Sequence, residues 1–141
     1  MKNAMISAEA FLAMGREVLA KQPFSVLIGA ELAALSPGRC ELHVPISDAV
    51  RQQHGFVHGG VLSYAADNAL TYAGGSALQV PVVTSEFKIN YVMPTIGDTL
   101  VAKATVLASG LVALLPRRLK ARRSLTSRTC RSGCATPTGS A

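Results

Sequence analysis

Over residues 39–46 apolar and polar side chains alternate, with Cys40, Leu42 and Val44 on one side and Arg39, Glu41 and His43 on the other. A period of two marks a strand with one buried face. Residues 28–35 are also strand-like, and Ser36-Pro37-Gly38 between the two runs supplies turn chemistry, so the pair is expected to form a hairpin. Ahead of it, Ser7 is placed as an N-cap, and Phe11, Met14, Val18 and Leu19 fall on one face of a short amphipathic helix that stops before Pro23. A second helix is predicted from residue 59 to about 73, ended by Gly74-Gly75. Its apolar residues Val61, Leu62, Ala65, Ala66, Ala69, Leu70 and Ala73 surround most of the circumference, so it should be buried rather than lie on a surface. In residues 84–93, Phe87, Ile89 and Tyr91 alternate with Glu86, Lys88 and Asn90. After the turn Pro94-Thr95-Ile96-Gly97-Asp98 a further strand-like run covers residues 99–107, and a second antiparallel hairpin is the natural pairing. The expected architecture is α+β, an antiparallel sheet wrapped around one central buried helix.

Composition changes this picture mainly at the ends. With 141 residues, 49% of them hydrophobic, the chain makes one domain with a modest core, small enough that association into a dimer or larger oligomer would help bury the rest. No apolar run reaches membrane-spanning length and no secretory signal is readable, so no membrane partner is expected and the expected location is cytoplasmic. Three cysteines, Cys40, Cys130 and Cys134, make no disulfide framework, and the Cys130/Cys134 pair lacks the further ligands of a structural zinc site. They read as free thiols. The net charge of +6 is unevenly placed: residues 1–108 hold all 8 acidic side chains with 7 of the 14 basic ones, while residues 109–141 hold the other 7 and no acid. The division expected is a domain over 1–108 and a basic tail over 109–141. That tail has no aromatic residue to stack on bases, so no nucleic-acid partner is expected.

The candidate chemistry sits at the start of the buried helix. In His58-Gly59-Gly60 the adjacent glycines let backbone N–H groups approach a ligand closely, and a helix start aims unpaired N–H groups, with partial positive charge, at whatever lies there. Such a place suits a carbonyl oxygen acquiring negative charge. Asp67 is the only charged residue between Arg51 and Glu86, in a segment too apolar to face solvent. It could be hydrogen-bonded structurally to a nearby turn, and the glycines could serve only helix packing, but a buried carboxylate beside such a helix start favours chemistry. His58 and Asp67 are nine residues apart, about 13 Å along the axis and roughly half a turn of net rotation, so one chain cannot aim both at the same carbonyl. Two such helices running antiparallel across a two-fold axis would bring the start of one beside Asp67 of the other. His54 and His58 have the spacing of helical metal ligands, but Gly55 intervenes and no acidic residue is near, so a metal site is rejected.

Gly55, His58-Gly59-Gly60 and Asp67, followed by Thr84, Asn90-Tyr91, Pro94 and Gly97-Asp98, resemble the hotdog-fold acyl-CoA thioesterases of the phenylacetate-degradation type over roughly residues 7–108. The resemblance implies hydrolysis of a coenzyme A thioester, acyl or aryl-acyl, to the free acid and coenzyme A by a homodimer or homotetramer without metal or organic cofactor. It implies that Gly60 N–H, with that of Val61, binds the thioester oxygen, and that Asp67 from the partner chain attacks the carbonyl or takes a proton from the attacking water. Gln52, six residues before His58, stands where such enzymes place an asparagine; Thr84 stands where a hydroxyl orients water, and His58 steadies the loop or the carbonyl. Gly59, Phe56, Tyr64 and Tyr91 are the remaining expected substrate contacts. A non-catalytic acyl-CoA-binding or basic interaction module is the alternative. After about Ala108 the resemblance ends: no period of two marks the fold's last strands, which are expected to be missing or degenerate, and the sequence reads either as out-of-frame translation of an ordinary C-terminus or as a genuine basic arm.

Overall fold

The computed structural model describes residues 7–108. The expectations for the basic tail, for Cys130 and Cys134 and for the final strands lie outside those residues.

Helix α1 spans Ala8–Ala20, with the Ser7 hydroxyl accepting from the Ala10 amide as the N-cap. Its inner face is formed by buried Gly15 and Leu19 with half-buried Phe11 and Leu12, whereas Met14 and Val18 are more than half exposed. The apolar stripe is therefore rotated from the one that Met14 and Val18 suggest. The cause is Gly15: a methyl group there would lie 2.6 Å from Leu32 Cδ2 and 2.7 Å from Leu35 Cδ2, so the helix meets the sheet through a position with no side chain. Pro23, which ends the apolar run of α1, also opens a second, five-residue helix, α2 (Pro23–Leu27), too short to show a period in sequence. Residues 28–30 are the exit from α2, with Gly29 at φ 68° and the Ala30 amide bonded to the Ser25 carbonyl at 2.8 Å, so the first strand starts later than residue 28.

Strands β1 (Glu31–Ser36) and β2 (Arg39–Pro45) form the expected hairpin, closed with Gly38 at φ 75°. Cys40, Leu42 and Val44 are buried, as their alternation requires. Burial pushes the Cys40 thiol up to about 12, with the Glu41 charge adding to the effect. Strand β3 (Thr99–Thr105) lies antiparallel to β2, and the sheet order is β1-β2-β3. Cys40, Leu42 and Val44 pair with Ala104, Ala102 and Leu100 on the buried face, while Glu41 pairs with Lys103 outside and its carboxyl is held below its ordinary range by hydrogen bonds from Lys103 and His43.

The second hairpin does not form as the alternation suggests. Residues 84–93 have no ladder partner among the described residues, and β3 takes its place against β2 instead. The alternation survives in part: Phe87 and Ile89 are half-buried between exposed Glu86, Lys88 and Asn90, whereas Tyr91 is more than half exposed. A period of two reports which side is covered, not which strand lies alongside.

Helix α3 (Gly59–Leu78) packs along the sheet through Val61, Ala65, Ala69 and Ala73, one residue per turn. It does not stop at Gly74-Gly75. Ser76 carries it onward: its hydroxyl accepts from the Gly38 amide at 3.0 Å and lies 3.1 Å from the Ser36 carbonyl, anchoring the last turns to the β1–β2 connection. The helix ends where Gln79 turns left-handed at φ 56°, two residues before Pro81. This is the expected arrangement, an antiparallel sheet against a central helix.

Gly15→Val should lower stability by about 2 kcal/mol despite valine's better helix propensity, because two buried leucines would have to move. A urea midpoint equal to that of the unaltered protein would show that the contact between α1 and β1 is slack.

Candidate active site

The approach to α3 is a tightly folded loop. Val50 ends a single 3-10 turn, Asp48–Val50, and its carbonyl accepts from the His58 amide at 2.9 Å. Between these residues Gly55, at φ 81°, lets the chain reverse, with the Gln52 amide bonded to the Phe56 carbonyl at 2.8 Å and the Arg51 guanidinium bonded to the Gly55 carbonyl at 2.8 Å. The loop thus delivers His58 as the N-cap of α3. Its imidazole Nδ1 accepts from the Gly60 amide at 2.9 Å, and its carbonyl accepts from the Val61 amide, also at 2.9 Å. Of the first three amides of the helix, only that of Gly59 makes no hydrogen bond among the described residues.

Beside this helix start lies an open cleft of about 390 Å³, lined by Gln52, Val57, Gly59, Leu62 and Tyr91 together with residues 92–95. Segment 84–98 reaches it because the Val57 amide bonds to the Thr95 carbonyl at 3.0 Å and because the Tyr91 hydroxyl donates to the Gly59 carbonyl at 3.2 Å and is hydrogen-bonded to the Ser63 hydroxyl. Of the residues singled out in sequence, Gln52, Gly59 and Tyr91 meet here. Leu62, Val57 and the stretch Val92-Met93-Pro94-Thr95 were not singled out as contacts; the only signal for the last was an apolar pair placed just before a turn.

The others lie elsewhere. Val61 faces the core rather than the cleft and is 8% exposed. Phe56 is half-buried in the loop, and Thr84 is exposed away from the cleft. Tyr64 packs edge-on against Phe24 of α2, ring centroids 5.0 Å apart, and donates to Ser25 Oγ at 2.6 Å. Ser25 in turn donates to the side-chain carbonyl of Gln22 at 2.7 Å, which also accepts from Asn68 at 3.3 Å. This network fastens α2 to α3; burial raises the Tyr64 pKa, partly offset by the hydrogen bonds of Ser25 and Asn68, so the phenol stays a neutral donor. Tyr64 is therefore occupied in holding two helices together.

Asp67 stands two turns beyond Gly59. At ~100° per residue it lies on the side of α3 opposite Ala65 and Ala69, turned away from the sheet of its own chain. Its Oδ1 is buried and has no hydrogen-bond partner among the described residues. No group of three or more histidine, cysteine, aspartate or glutamate side chains among those residues could hold a metal ion, and no helix there is long and apolar enough to cross a membrane.

Residues 54–110, which hold the end of the loop, the helix start and Asp67, match the model of the Thioesterase superfamily. A thioesterase family protein from Silicibacter pomeroyi is 35% identical, over 71% of this chain and 75% of its own, with a TM-score of 0.64. The chain belongs to the thioesterase superfamily. A conserved protein of Pseudomonas aeruginosa is 28% identical over 67% of this chain and 77% of its own, with a TM-score of 0.62. The PaaI protein from the phenylacetic acid degradation operon of Escherichia coli, 22% identical over 74% of this chain and 77% of its own, shares the fold with a TM-score of 0.65. No curated protein matches the chain. Among the described residues, the cleft at the start of α3 and the unpartnered carboxylate oxygen of Asp67 are two features with chemical capacity.

Tyr64→Phe is expected to cost about 1 kcal/mol of stability, the net worth of a buried hydrogen bond. Chemical denaturation measures it. An unchanged midpoint would mean that the link between α2 and α3 adds nothing to the fold.

Proposed function

We propose that the protein hydrolyses acyl- or aryl-acyl-CoA thioesters to the free acid and coenzyme A, in the manner of the phenylacetate-degradation type, as a homodimer or homotetramer in the cytoplasm. The observation that carries this reading is the buried, unpartnered Oδ1 of Asp67 on a helix whose start opens onto an apolar cleft. Asp67 is half-buried, and taking one of its carboxylate oxygens out of water without a donor carries a cost that a reaction using the group accounts for.

The thioester lies in the cleft with its carbonyl oxygen at the start of α3, where Gly60 N–H faces the charge that develops on it; the Val61 amide, the expected second donor, is committed to the His58 carbonyl in the free protein. In the free protein the Gly60 amide is held by His58 Nδ1, and the thioester oxygen takes the place of that imidazole. Gln52 on the cleft wall holds the water or the substrate. Asp67 of the partner subunit, on the face of its helix turned away from its own sheet, either attacks the thioester carbon or takes a proton from the water that attacks it. Collapse of the tetrahedral intermediate breaks the C–S bond and the thiolate leaves, taking up a proton to give coenzyme A; where Asp67 is the nucleophile, water then hydrolyses the mixed anhydride left on its carboxylate, which yields the free acid and restores Asp67. Exposed apolar side chains at Val80, Val83, Val92 and Met93, 54–92% accessible in the single chain, support association with a second copy.

Asp67→Asn should retain fold and acyl-CoA binding while kcat falls by at least ~10². Thiol release from a panel of acyl- and aryl-acyl-CoA substrates measures this. Near-native turnover by the Asn variant would remove Asp67 from the mechanism, and binding without turnover by the unaltered protein would favour a non-catalytic acyl-CoA-binding module.

A further inference from the structure

We propose that Tyr91 is a positioning residue for the peptide group that binds the developing oxyanion, acting through the carbonyl of Gly59. The inference rests on the reading above that Gly60 N–H faces the thioester oxygen. That N–H and the Gly59 carbonyl belong to one planar peptide unit, so whatever fixes the carbonyl fixes the direction of the N–H. The Tyr91 hydroxyl donates to this carbonyl at 3.2 Å, and the ring rests against the same residue, since a methyl group on Gly59 would lie 3.8 Å from Cε1 and Cζ.

The chain of donors runs in one direction. With the phenol O–H committed to the Gly59 carbonyl, the Ser63 hydroxyl donates to the phenol oxygen, and the far end of the peptide unit donates from Gly60 N–H to His58 Nδ1 at 2.9 Å. Each bond in such a series polarises the next, so the donor at the end is stronger than an isolated amide. A helical carbonyl keeps a second lone pair free for an outside donor, so the phenol reinforces the helix start without displacing its backbone bonding. Ser63 is one turn beyond Gly59 on the same face and keeps the phenol oxygen over this carbonyl. Tyr91 also lines the cleft, so the competing role is a plain substrate contact.

Tyr91→Phe separates the two, because it keeps the ring and removes only the hydroxyl. With the positioning role, kcat falls roughly five- to tenfold while KM stays within about twofold, the loss appearing as the carbonyl oxygen gains charge. Ser63→Ala, which leaves the phenol but removes its donor, lowers kcat about two- to threefold. In the NMR spectrum of ligand-free protein the Gly59 carbonyl carbon and the Gly60 amide move upfield in Tyr91→Phe, a readout independent of turnover. Equal kcat with a raised KM would overturn the proposal in favour of a substrate contact, and an unmoved Gly60 amide would overturn it whatever the kinetics. Absence of turnover by the unaltered protein across the acyl-CoA panel would instead overturn the functional reading, leaving the NMR comparison to decide on the peptide.

Discussion

A carboxylate oxygen buried on the central helix, with no donor among the described residues, is the constraint on which the reading of this structure depends. A fold tolerates a buried, unsatisfied carboxylate oxygen only where other contacts outweigh it. Here they come from the sheet side of α3, where Val61, Ala65, Ala69 and Ala73 meet β2 and β3, and from Ser76, which ties the far end of the helix to the β1–β2 turn. Tyr64 and Asn68, on the same helix as Asp67, bind Ser25 and Gln22 and leave the carboxylate alone. The polar groups of α3 are thus committed in pairs, and Asp67 is the exception.

The two ends of the proposed chemistry are separated by the helix that carries them. Gly59 and Asp67 are eight residues apart, about 12 Å along the axis with roughly 80° between the directions in which they leave the helix. A thioester carbon sits within bonding reach of its attacking group and of its oxyanion donor at once, and one helix cannot supply both. A second helix in the opposite sense supplies the missing half to each, so association completes two sites as well as burying apolar surface.

Much of this was legible in the chain and some was not, for identifiable reasons. The hairpin of β1 and β2 was readable because Cys40, Leu42 and Val44 alternate without interruption. The end of α3 was misplaced because Gly74-Gly75 is a strong local stop, and only a tertiary contact, Ser76 with Ser36 and Gly38, overrides it. Residues 84–93 announced their covered side through Phe87 and Ile89 but not their neighbour, since periodicity carries no information on pairing. At the site, the glycines and the isolated charge of Asp67 stood out in composition alone. The hydrogen bond that His58 makes to Gly60, and the engagement of Tyr64 with α2 rather than with the cleft, depend on side-chain geometry that spacing does not encode.

The central claim is that each site takes its oxyanion donors from one chain and its carboxylate from another. Mixing Asp67→Ala protein with Gly60→Pro protein tests it most directly, once exchange of subunits has been demonstrated with differently tagged chains. Each variant alone is expected to show at most residual turnover. In a mixed dimer one site has both intact components, so thiol release should return to about a quarter of that of the unaltered protein, given random exchange from equal amounts. No recovery of activity with exchange demonstrated would contradict the shared site and place the helix start and Asp67 in separate roles.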